Sequence, residues 1–232
     1  MASRYSLAKP REVLSNRYGV PVPESWKPRY NVAPGQEMPV ITNRRKDELS
    51  FFKWGFVPNW SLDDSSATNL FNAKAENILT KAPFKQAART QRCIVLADGY
   101  FEWKKTGKNK LPYRITLVTD EVFAFAGLWD YWENPNDGKI INTYTIITVP
   151  ANRLLQELND RMPVILTQET EQMWLSDKLP ESAYNEILKP YNPDKMSFYQ
   201  AHRVVNSTAY DYPECIQPAP KIYPGETYSL FD

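Results

Sequence analysis

The order of apolar and polar residues predicts many short strands separated by turns, together with a few short helices. Phe52, Trp54 and Phe56 alternate with Lys53 and Gly55, which is the period-two pattern of a strand that buries one face. Strands are predicted at 38–42, 49–56, 93–96, 100–104, 113–118, 123–128, 144–149 and 164–166. Helices are predicted at 8–18, 73–79, 84–88, 151–158, 169–175 and 181–188. This mixture predicts an α+β fold.

Nothing along the chain marks a domain boundary. The 232 residues contain no internal repeat, no low-complexity tract and no linker, so we expect one domain over residues 1–232. Residues 190–232 are rich in proline and tyrosine and are expected to wrap around the body. No apolar run reaches the about 18 residues of a membrane span. Without a secretion signal at the N-terminus, we expect a cytoplasmic protein, associated with the nucleoid if bacterial, with no membrane partner.

The net charge of +1 conceals a strong asymmetry between the two halves of the chain. Residues 1–114 hold 20 Lys and Arg against 10 Asp and Glu, and residues 115–232 hold 8 against 17, giving +10 and −9. The basic residues cluster at 44–46, 81–92 and 104–110. A one-sided basic surface suits a polyanion such as nucleic acid, because phosphate contacts release counterions. The alternative is a set of solvated loops that the acidic half neutralises.

Several common classes of active site are poorly supported. The only histidine is His202, and neither Cys93 nor Cys215 has a partner at metal-ligand spacing, so no metal is expected. Both cysteines are predicted to be buried thiols rather than a disulfide. There is no glycine-rich phosphate loop, and no nucleophile signature accompanies His202. We therefore expect no cofactor.

One acid stands among large aromatic residues and is the first candidate for chemistry. Period-two alternation places Tyr100, Glu102 and Lys104 on one face of a strand, with Phe101 and Trp103 on the other. An acid in aromatic surroundings is costly to desolvate and needs a partner or a function. The structural alternative is a surface pair between Glu102 and Lys104.

Other polar groups also lie beside apolar segments. Asn72 and Lys74 open a predicted helix, either as a cap with an exposed cation or as an amide and a phosphate-binding cation. Trp54 and Trp60 flank a rigid turn, which favours core packing but also suits base stacking. A polar, cationic loop at 159–161 precedes a buried apolar run.

Taken together, these segments resemble the SOS response-associated peptidase family, also described as abasic-site processing proteins. The matching stretches are Tyr30-Asn31-Val32-Ala33-Pro34, Trp54-Gly55-Phe56-Val57-Pro58-Asn59-Trp60, Asn72-Ala73-Lys74-Ala75-Glu76, 92–104, Phe125-Ala126-Gly127-Leu128-Trp129, Thr145-Ile146-Ile147-Thr148, Asp160-Arg161-Met162-Pro163 and Val205-Asn206. They occur in family order across nearly the whole chain. The resemblance implies one α+β domain around a curved, barrel-like, mostly antiparallel sheet, with a positively charged groove for single-stranded DNA.

The resemblance also implies a chemistry. In the family the leading methionine is removed, and a cysteine at position 2 attacks the ring-opened sugar aldehyde of an abasic site to form a thiazolidine crosslink. By motif, Asn72 corresponds to an orienting asparagine and Glu102 to a proton-handling glutamate. Lys74 takes the place of a phosphate-binding arginine, while Arg161 and Arg4 match further arginines of the family.

The departures from the family fall on that chemistry. Position 2 is Ala2, position 3 is Ser3 where glycine is usual, and the histidine position holds Asn159. Without a thiol at residue 2 a thiazolidine cannot form, and without an imidazole at 159 the proton shuttle near neutral pH is missing. His202, near the Val205-Asn206 segment, is a weak candidate to replace that imidazole.

Three functions remain open. The first is binding of single-stranded or abasic-site DNA in a DNA damage response, without durable attachment, by a monomeric pseudoenzyme. It would use the cations and aromatic rings at Arg4, Lys74, Arg161, Trp54, Trp60 and Trp103. The second is an abasic-site lyase in which the Ala2 amine forms an imine and Glu102 promotes β-elimination. The third is a role on the same scaffold that does not involve DNA.

Overall fold

The computed structural model describes residues 3–220, which form thirteen strands, four α-helices and several single 3-10 turns. The strands are β1 (Arg4–Leu7), β2 (Arg29–Val32), β3 (Glu37–Thr42), β4 (Arg45–Trp54), β5 (Asn72–Lys74), β6 (Arg92–Ala97), β7 (Gly99–Thr106), β8 (Asn109–Leu117), β9 (Phe123–Glu133), β10 (Ile140–Pro150), β11 (Arg161–Pro163), β12 (Ile165–Leu166) and β13 (Met196–Gln200). The helices are α1 (Arg11–Tyr18), α2 (Ala82–Thr90), α3 (Gln168–Trp174) and α4 (Glu181–Ile187).

The larger sheet closes on itself. Its strands run in the order β11-β10-β4-β3-β6-β9-β12, and a further pairing of β9 with β10 joins β10, β4, β3, β6 and β9 into a ring. Most pairs are antiparallel, but β4 and β5 run parallel to β10. Helices flank this sheet, so the predicted α+β class with a barrel-like, mostly antiparallel sheet is confirmed.

The smaller sheet has the order β13-β8-β7-β1-β2. Its strand β1 lies between β2 and β7, with Arg4 opposite Phe101 and Tyr5 opposite Tyr100. Continuing that register by one residue brings Ser3 beside Glu102. The beginning of β1 and the candidate acid on β7 are therefore neighbours.

Aromatic side chains join the two sheets. The Tyr5 ring from the smaller sheet packs edge-on against Trp54 and Phe125 of the larger sheet, with centroid separations of 5.1 and 5.9 Å. The Tyr5 hydroxyl lies 2.7 Å from that of Tyr144, so two fully buried hydroxyl groups satisfy each other. This contact fixes β1 against the ring of strands.

A fully buried arginine closes two helix ends. The Arg92 guanidinium donates to carbonyl oxygens of the last turn of α2 and of the end of α3, at Ala88, Arg89, Trp174 and Ser176. The final carbonyls of a helix have no partner within the helix, and these donors supply one. Arg92, which belongs to one of the basic clusters, is therefore a structural group.

Two predicted helices are wrong. Residues 73–79 instead form the end of β5 and a 3-10 turn (Ala75–Asn77), because pairing with β10 satisfies the backbone of this segment. Residues 151–158 form hydrogen-bonded turns. The Asn152 side chain accepts from the backbone N–H of Leu154 and Leu155, and this local bonding competes with a helix.

Candidate functional site

A cavity of about 410 Å³ opens at the junction of β1, β7 and the segment that precedes β11. It is lined by Ser3, Arg4, Glu102, Trp103, Lys105, Lys110, Asn159 and Asn206. The β1–β7 register brings the start of β1 to the middle of β7, with Arg4 opposite Phe101, although the two segments are distant in sequence. The cavity therefore gathers four of the residues selected from the sequence, which are Arg4, Glu102, Trp103 and Asn159.

Glu102 is the buried acid of this cavity. Its residue surface is only 5% exposed, and its Oε2 accepts a hydrogen bond of 2.9 Å from Asn159 Nδ2. Desolvation raises the pKa of Glu102 from 4.5 to about 7, while the bond from Asn159 acts in the opposite direction. A carboxyl group that titrates near neutral pH can act as either proton donor or proton acceptor.

Asn159 is held in one orientation. Its Oδ1 accepts from the backbone N–H of Arg161 at 3.2 Å, so its Nδ2 is the atom that faces Glu102. An amide in this position donates a hydrogen bond to the acid but does not carry a proton between groups. Asn159 therefore orients the acid and cannot relay a proton to or from it.

Arg4 and Trp103 form the cationic and aromatic side of the cavity. The Arg4 guanidinium lies over the Trp103 ring, 5.7 Å from its centroid, and Trp103 Nε1 donates to Asn206 Oδ1 at 2.7 Å. Burial lowers the pKa of Arg4. Within residues 3–220, Arg4 has no acidic partner and its buried Nε has no hydrogen-bond acceptor.

Lys74 and Arg161 flank one strand next to the cavity. Lys74 of β5 is opposite Thr148 of β10, and the Arg161 guanidinium donates to the Thr148 carbonyl oxygen at 2.6 Å. The two cations are therefore on the same side of the molecule. Arg161 also forms a two-armed ion pair with Glu76, with N–O distances of 2.7 and 3.0 Å.

The remaining predicted residues have different fates. β5 places Asn72 two residues before Lys74 and beside Ile146 of β10. Ala2 lies outside the residues that the structure describes. His202 does not line the cavity, and its Nδ1 accepts from the backbone N–H of Val204 at the start of a 3-10 turn.

One of the three tryptophans proposed for DNA contact needs correction, and a second lies away from the cavity. Trp54 is fully buried, stacks on Tyr144 and donates Nε1 to a backbone carbonyl, so it has no free face for a base and the prediction is wrong. Trp60 is 61% exposed, but the turn that carries it lies beside Asp130 and Thr143. That end of β10 is seven residues from Pro150, which pairs with Arg161, or roughly 20 Å away. Trp60 is outside the cavity.

Two lysines of the site were missed. Lys105 and Lys110 are directly opposite each other in the β7–β8 hairpin, and both line the cavity. The 104–110 cluster was evident in the sequence, and the turn at 106–109 fixes the register that pairs them. Like charges directly opposite each other destabilise a sheet, which is typical of a site that binds an anion.

Part of the basic half is neutralised by acids of the other half. Six ion pairs join a cation of residues 3–114 to an acid of residues 115–220: Lys9–Asp120, Arg17–Glu171, Arg29–Asp211, Lys46–Asp177, Arg89–Glu181 and Lys104–Glu157. The structural alternative for the charge asymmetry therefore holds for these six cations. Within the described part of the chain, Lys105 and Lys110 take part in no ion pair.

Two further observations concern metal ligands and membrane spans in the described region. Residues 3–220 contain no group of three or more His, Cys, Asp or Glu side chains arranged to hold a metal ion. In the same range, no helix has the length and apolar character needed to cross a membrane.

Known proteins resemble this chain over most of its length. Residues 1–208 match the family described as SOS response associated peptidase (SRAP). The abasic site processing protein YoqW of Bacillus subtilis is 37% identical over 223 residues, which cover 94% of this chain and 99% of YoqW. The abasic site processing protein HMCES of Gallus gallus is 31% identical over 226 residues, covering 83% of this chain and 67% of HMCES.

A solved structure agrees with the sequence matches. The crystal structure of a protein from Bacteroides thetaiotaomicron superposes with a TM-score of 0.85 at 31% identity, covering 94% of this chain and 99% of that one. The chain is a member of the SOS response associated peptidase family.

Proposed function

We propose that this protein binds single-stranded DNA at an abasic site and holds it without a thiazolidine crosslink. The observation that carries the proposal is Arg4, a half-buried guanidinium that lies against Trp103 and has no acidic partner in the described region. A desolvated cation without a counter-ion favours an anionic ligand. The names of the relatives, abasic site processing proteins, support this choice of ligand.

The cavity has the components that such a ligand needs. Arg4, Lys105 and Lys110 supply positive charge for backbone phosphates. The Trp103 ring suits stacking with a flanking base, while a sugar that has lost its base would enter beside Glu102. Lys74 and Arg161 continue the positive charge from the Asn159 side of the cavity.

The proposal is tested by fluorescence anisotropy with three labelled oligonucleotides: single-stranded DNA with a stable abasic analogue, the same strand intact, and a duplex. We expect the abasic strand to bind most tightly, with affinity falling steeply as salt rises. Arg4→Ala should weaken binding about tenfold, or about 1.4 kcal/mol. A flat salt response or equal affinity for all three oligonucleotides would contradict the proposal.

The matched control is Arg45→Ala. Arg45 is exposed in the β3–β4 hairpin, pairs with Glu48 and does not line the cavity. The Arg45→Ala substitution removes one positive charge, as Arg4→Ala does. A general effect of net charge would therefore weaken binding equally in both variants. We expect Arg45→Ala to change the affinity by less than about twofold.

A second candidate function is an abasic-site lyase, favoured by the raised pKa of Glu102 beside Ser3. After removal of Met1, the Ala2 amine would add to the sugar aldehyde and lose water to give an imine. Glu102 would then take the proton from the carbon next to the imine carbon, and the 3′ phosphate would leave by β-elimination. Water would finally hydrolyse the imine and release the amine.

Borohydride trapping tests this second function. The reagent reduces an imine to a stable amine, so a covalent protein–DNA adduct should appear with the wild type and depend on Met1 removal. The mass of the intact protein gives the state of its N-terminus. Absence of an adduct from protein that lacks Met1 would exclude the imine.

A reconstruction tests what separates this site from its relatives. Ala2→Cys, Ser3→Gly and Asn159→His together would supply the thiol, the small residue and the imidazole of the family pattern. We expect a heat-stable crosslink to abasic DNA from this triple variant, measured by denaturing gel electrophoresis. Lack of a crosslink would mean that the site differs from the family at further positions.

We also propose that the protein acts as a monomer in the compartment that holds the DNA, the cytoplasm or the nucleoid. The groups that this function uses, in the cavity and beside it, all belong to one chain. Light scattering after size exclusion, with and without DNA, is expected to give one protein chain per oligonucleotide.

A further inference from the structure

We infer that the Glu76 carboxylate occupies the position of a DNA phosphate on the Arg161 guanidinium and competes with DNA for that binding position. This inference rests on the proposed DNA-binding function. It adds that Glu76 already occupies one of the cations that would bind DNA, and that this ion pair limits the affinity for DNA.

The geometry of the pair is that of anion recognition. Arg161 Nη1 donates to Glu76 Oε1 at 2.7 Å, and Nη2 donates to Oε2 at 3.0 Å. Two parallel bonds from one guanidinium are the arrangement that arginine also forms with phosphate. The Glu76 side chain is 50% exposed, whereas that of Arg161 is 12% exposed. The acid therefore lies on the solvent side and covers the cation.

The position of the Arg161 guanidinium does not depend on Glu76. Arg161 Nη2 also donates to the carbonyl oxygen of Thr148 at 2.6 Å, and its backbone N–H donates to Asn159. These bonds attach the arginine to β10 and to the loop that carries Asn159. If Glu76 moves away, the guanidinium keeps its position and presents Nη1 to solvent.

The local charges favour a phosphate at this point. Lys74 of β5, which is opposite Thr148 of β10, is exposed. The hydrogen bond from Arg161, followed by weaker contributions that include the Lys74 charge, lowers the pKa of Glu76 despite its partial burial. Glu76 therefore remains ionised at neutral pH, and an anion has to displace it rather than wait for its protonation.

Displacement of an internal acid predicts a particular salt dependence. A phosphate that binds a bare cation site releases salt ions, which steepens the fall of affinity with salt. A phosphate that replaces Glu76 releases the carboxylate instead. The wild type should therefore show a shallower salt slope than its number of cations suggests.

The central experiment compares wild type, Glu76→Gln and Arg161→Ala in anisotropy titrations with abasic single-stranded DNA over a range of salt concentrations. We expect Glu76→Gln to bind about fivefold more tightly at low salt, the size of one well-formed ion pair. Its slope of log affinity against log salt should steepen by about 0.7, which corresponds to one added phosphate on a single strand. Arg161→Ala should bind more weakly than wild type.

Glu48→Gln is the matched control. Glu48 has similar exposure, 46%, and pairs with Arg45, so the variant makes the same change in net charge. Its strand β4 runs parallel to β10 with Lys53 opposite Thr143, which places Glu48 roughly 30 Å along the sheet from Thr148. We expect its affinity and salt slope to match those of the wild type.

A second measurement does not use DNA. Inorganic phosphate is titrated at constant ionic strength while Tm is followed, since a ligand that binds the folded state raises Tm. Glu76→Gln should gain stability with phosphate, and Glu48→Gln should behave as the wild type does.

The outcomes separate the two claims. If the wild type binds DNA but Glu76→Gln binds equally or more weakly, Glu76 is a support for Arg161 and the inference is wrong while the proposed function stands. If neither protein binds DNA, the proposed function fails and the inference fails with it. A gain in affinity shared by Glu48→Gln would also overturn the inference, because it would reflect net charge alone.

Discussion

Two buried acids lie four residues apart at the β6–β7 corner, and their surroundings differ sharply. Asp98 is 1% exposed and its carboxylate accepts from Ser6 Oγ, from the backbone N–H of Ala8 and Lys9, and from the Arg114 guanidinium. Glu102 is 5% exposed and faces a cavity, where one of its donors is the neutral amide of Asn159. Desolvation, the largest cause, raises the pKa of Glu102 to about 7.

The comparison teaches that donors, not depth, decide what a buried acid does. The Asp98 contacts tie the end of β1 to the turn before β7, and so hold the strand that carries Arg4. A carboxylate committed to an ion pair and three further donors has a structural role. A carboxylate that is desolvated beside a cavity is poised for ligand binding or proton transfer.

The largest effect is expected from Asp98→Asn. The amide would leave the Arg114 charge buried without its partner and would set an N–H group against the donors of β1. Loss of one member of a buried pair costs about 3–5 kcal/mol, so the free energy of unfolding should fall by that amount. Urea denaturation at neutral pH measures it. A loss below about 1 kcal/mol would contradict the structural role assigned to Asp98.

The matched substitution at the other acid, Glu102→Gln, should have the opposite sign at high pH. Because the folded-state pKa of Glu102 is raised from 4.5 to about 7, its contribution is fully present below about pH 4.5 and is lost as pH rises through 7. The wild type should therefore lose about 3 kcal/mol between these limits. Glu102→Gln should lack this loss. Urea denaturation from pH 5 to 8 tests this, and identical pH profiles for the two proteins would refute it.

A steric substitution sharpens the structural half of the comparison. A Cβ at Gly99 would lie 2.7 Å from Arg114 Nε, and the guanidinium is held by Ser6, Asp98 and Tyr199. Since the arginine cannot move without breaking these bonds, Gly99→Ala should cost about 1–3 kcal/mol, measured by thermal or urea denaturation. Gly107→Ala is not a suitable control because of its positive φ. Thr116→Ser, on the same hairpin, changes volume without a clash and should be milder.

The smallest effect concerns the cavity half. Lys110→Gln removes the repulsion between directly opposed lysines in the β7–β8 hairpin, so we expect Tm to rise by about 1 °C. DNA affinity should fall in the same variant. Calorimetry and anisotropy on one preparation measure both quantities. A fall in both would indicate that the lysine packs against its neighbours rather than serving the ligand.

Much of the fold follows from local patterns. The alternation at 100–104 predicted β7, the apolar and β-branched runs at 93–96, 113–118 and 144–149 predicted β6, β8 and β10, and the family resemblance supplied the barrel-like closure. The helix predictions at 73–79 and 151–158 were wrong. Pairing with β10 outweighed helical preference in the first segment, and hydrogen bonds to the Asn152 side chain did so in the second. Such competition depends on contacts far away in the chain.

The candidate site was predictable to a smaller extent. Glu102 was recognisable because a lone acid between aromatic residues is unusual, and the motif match added Asn159 and Arg4. The burial of Trp54 could not be predicted, because a tryptophan beside a turn has the same sequence pattern in a core and on a surface. The pairing of Arg161 with Glu76 joins segments 85 residues apart and leaves no local signal.

Arg92 has a consequence for how the molecule opens. One side chain donates to the last carbonyls of both α2 and α3, so neither helix end can unravel without exposing donors that the other uses. Amide hydrogens near the two ends should therefore exchange with solvent as one cooperative unit rather than as two independent fraying segments. The Arg92 side chain therefore links the two helices, and loss of its bonds would release both from the ring of strands at once.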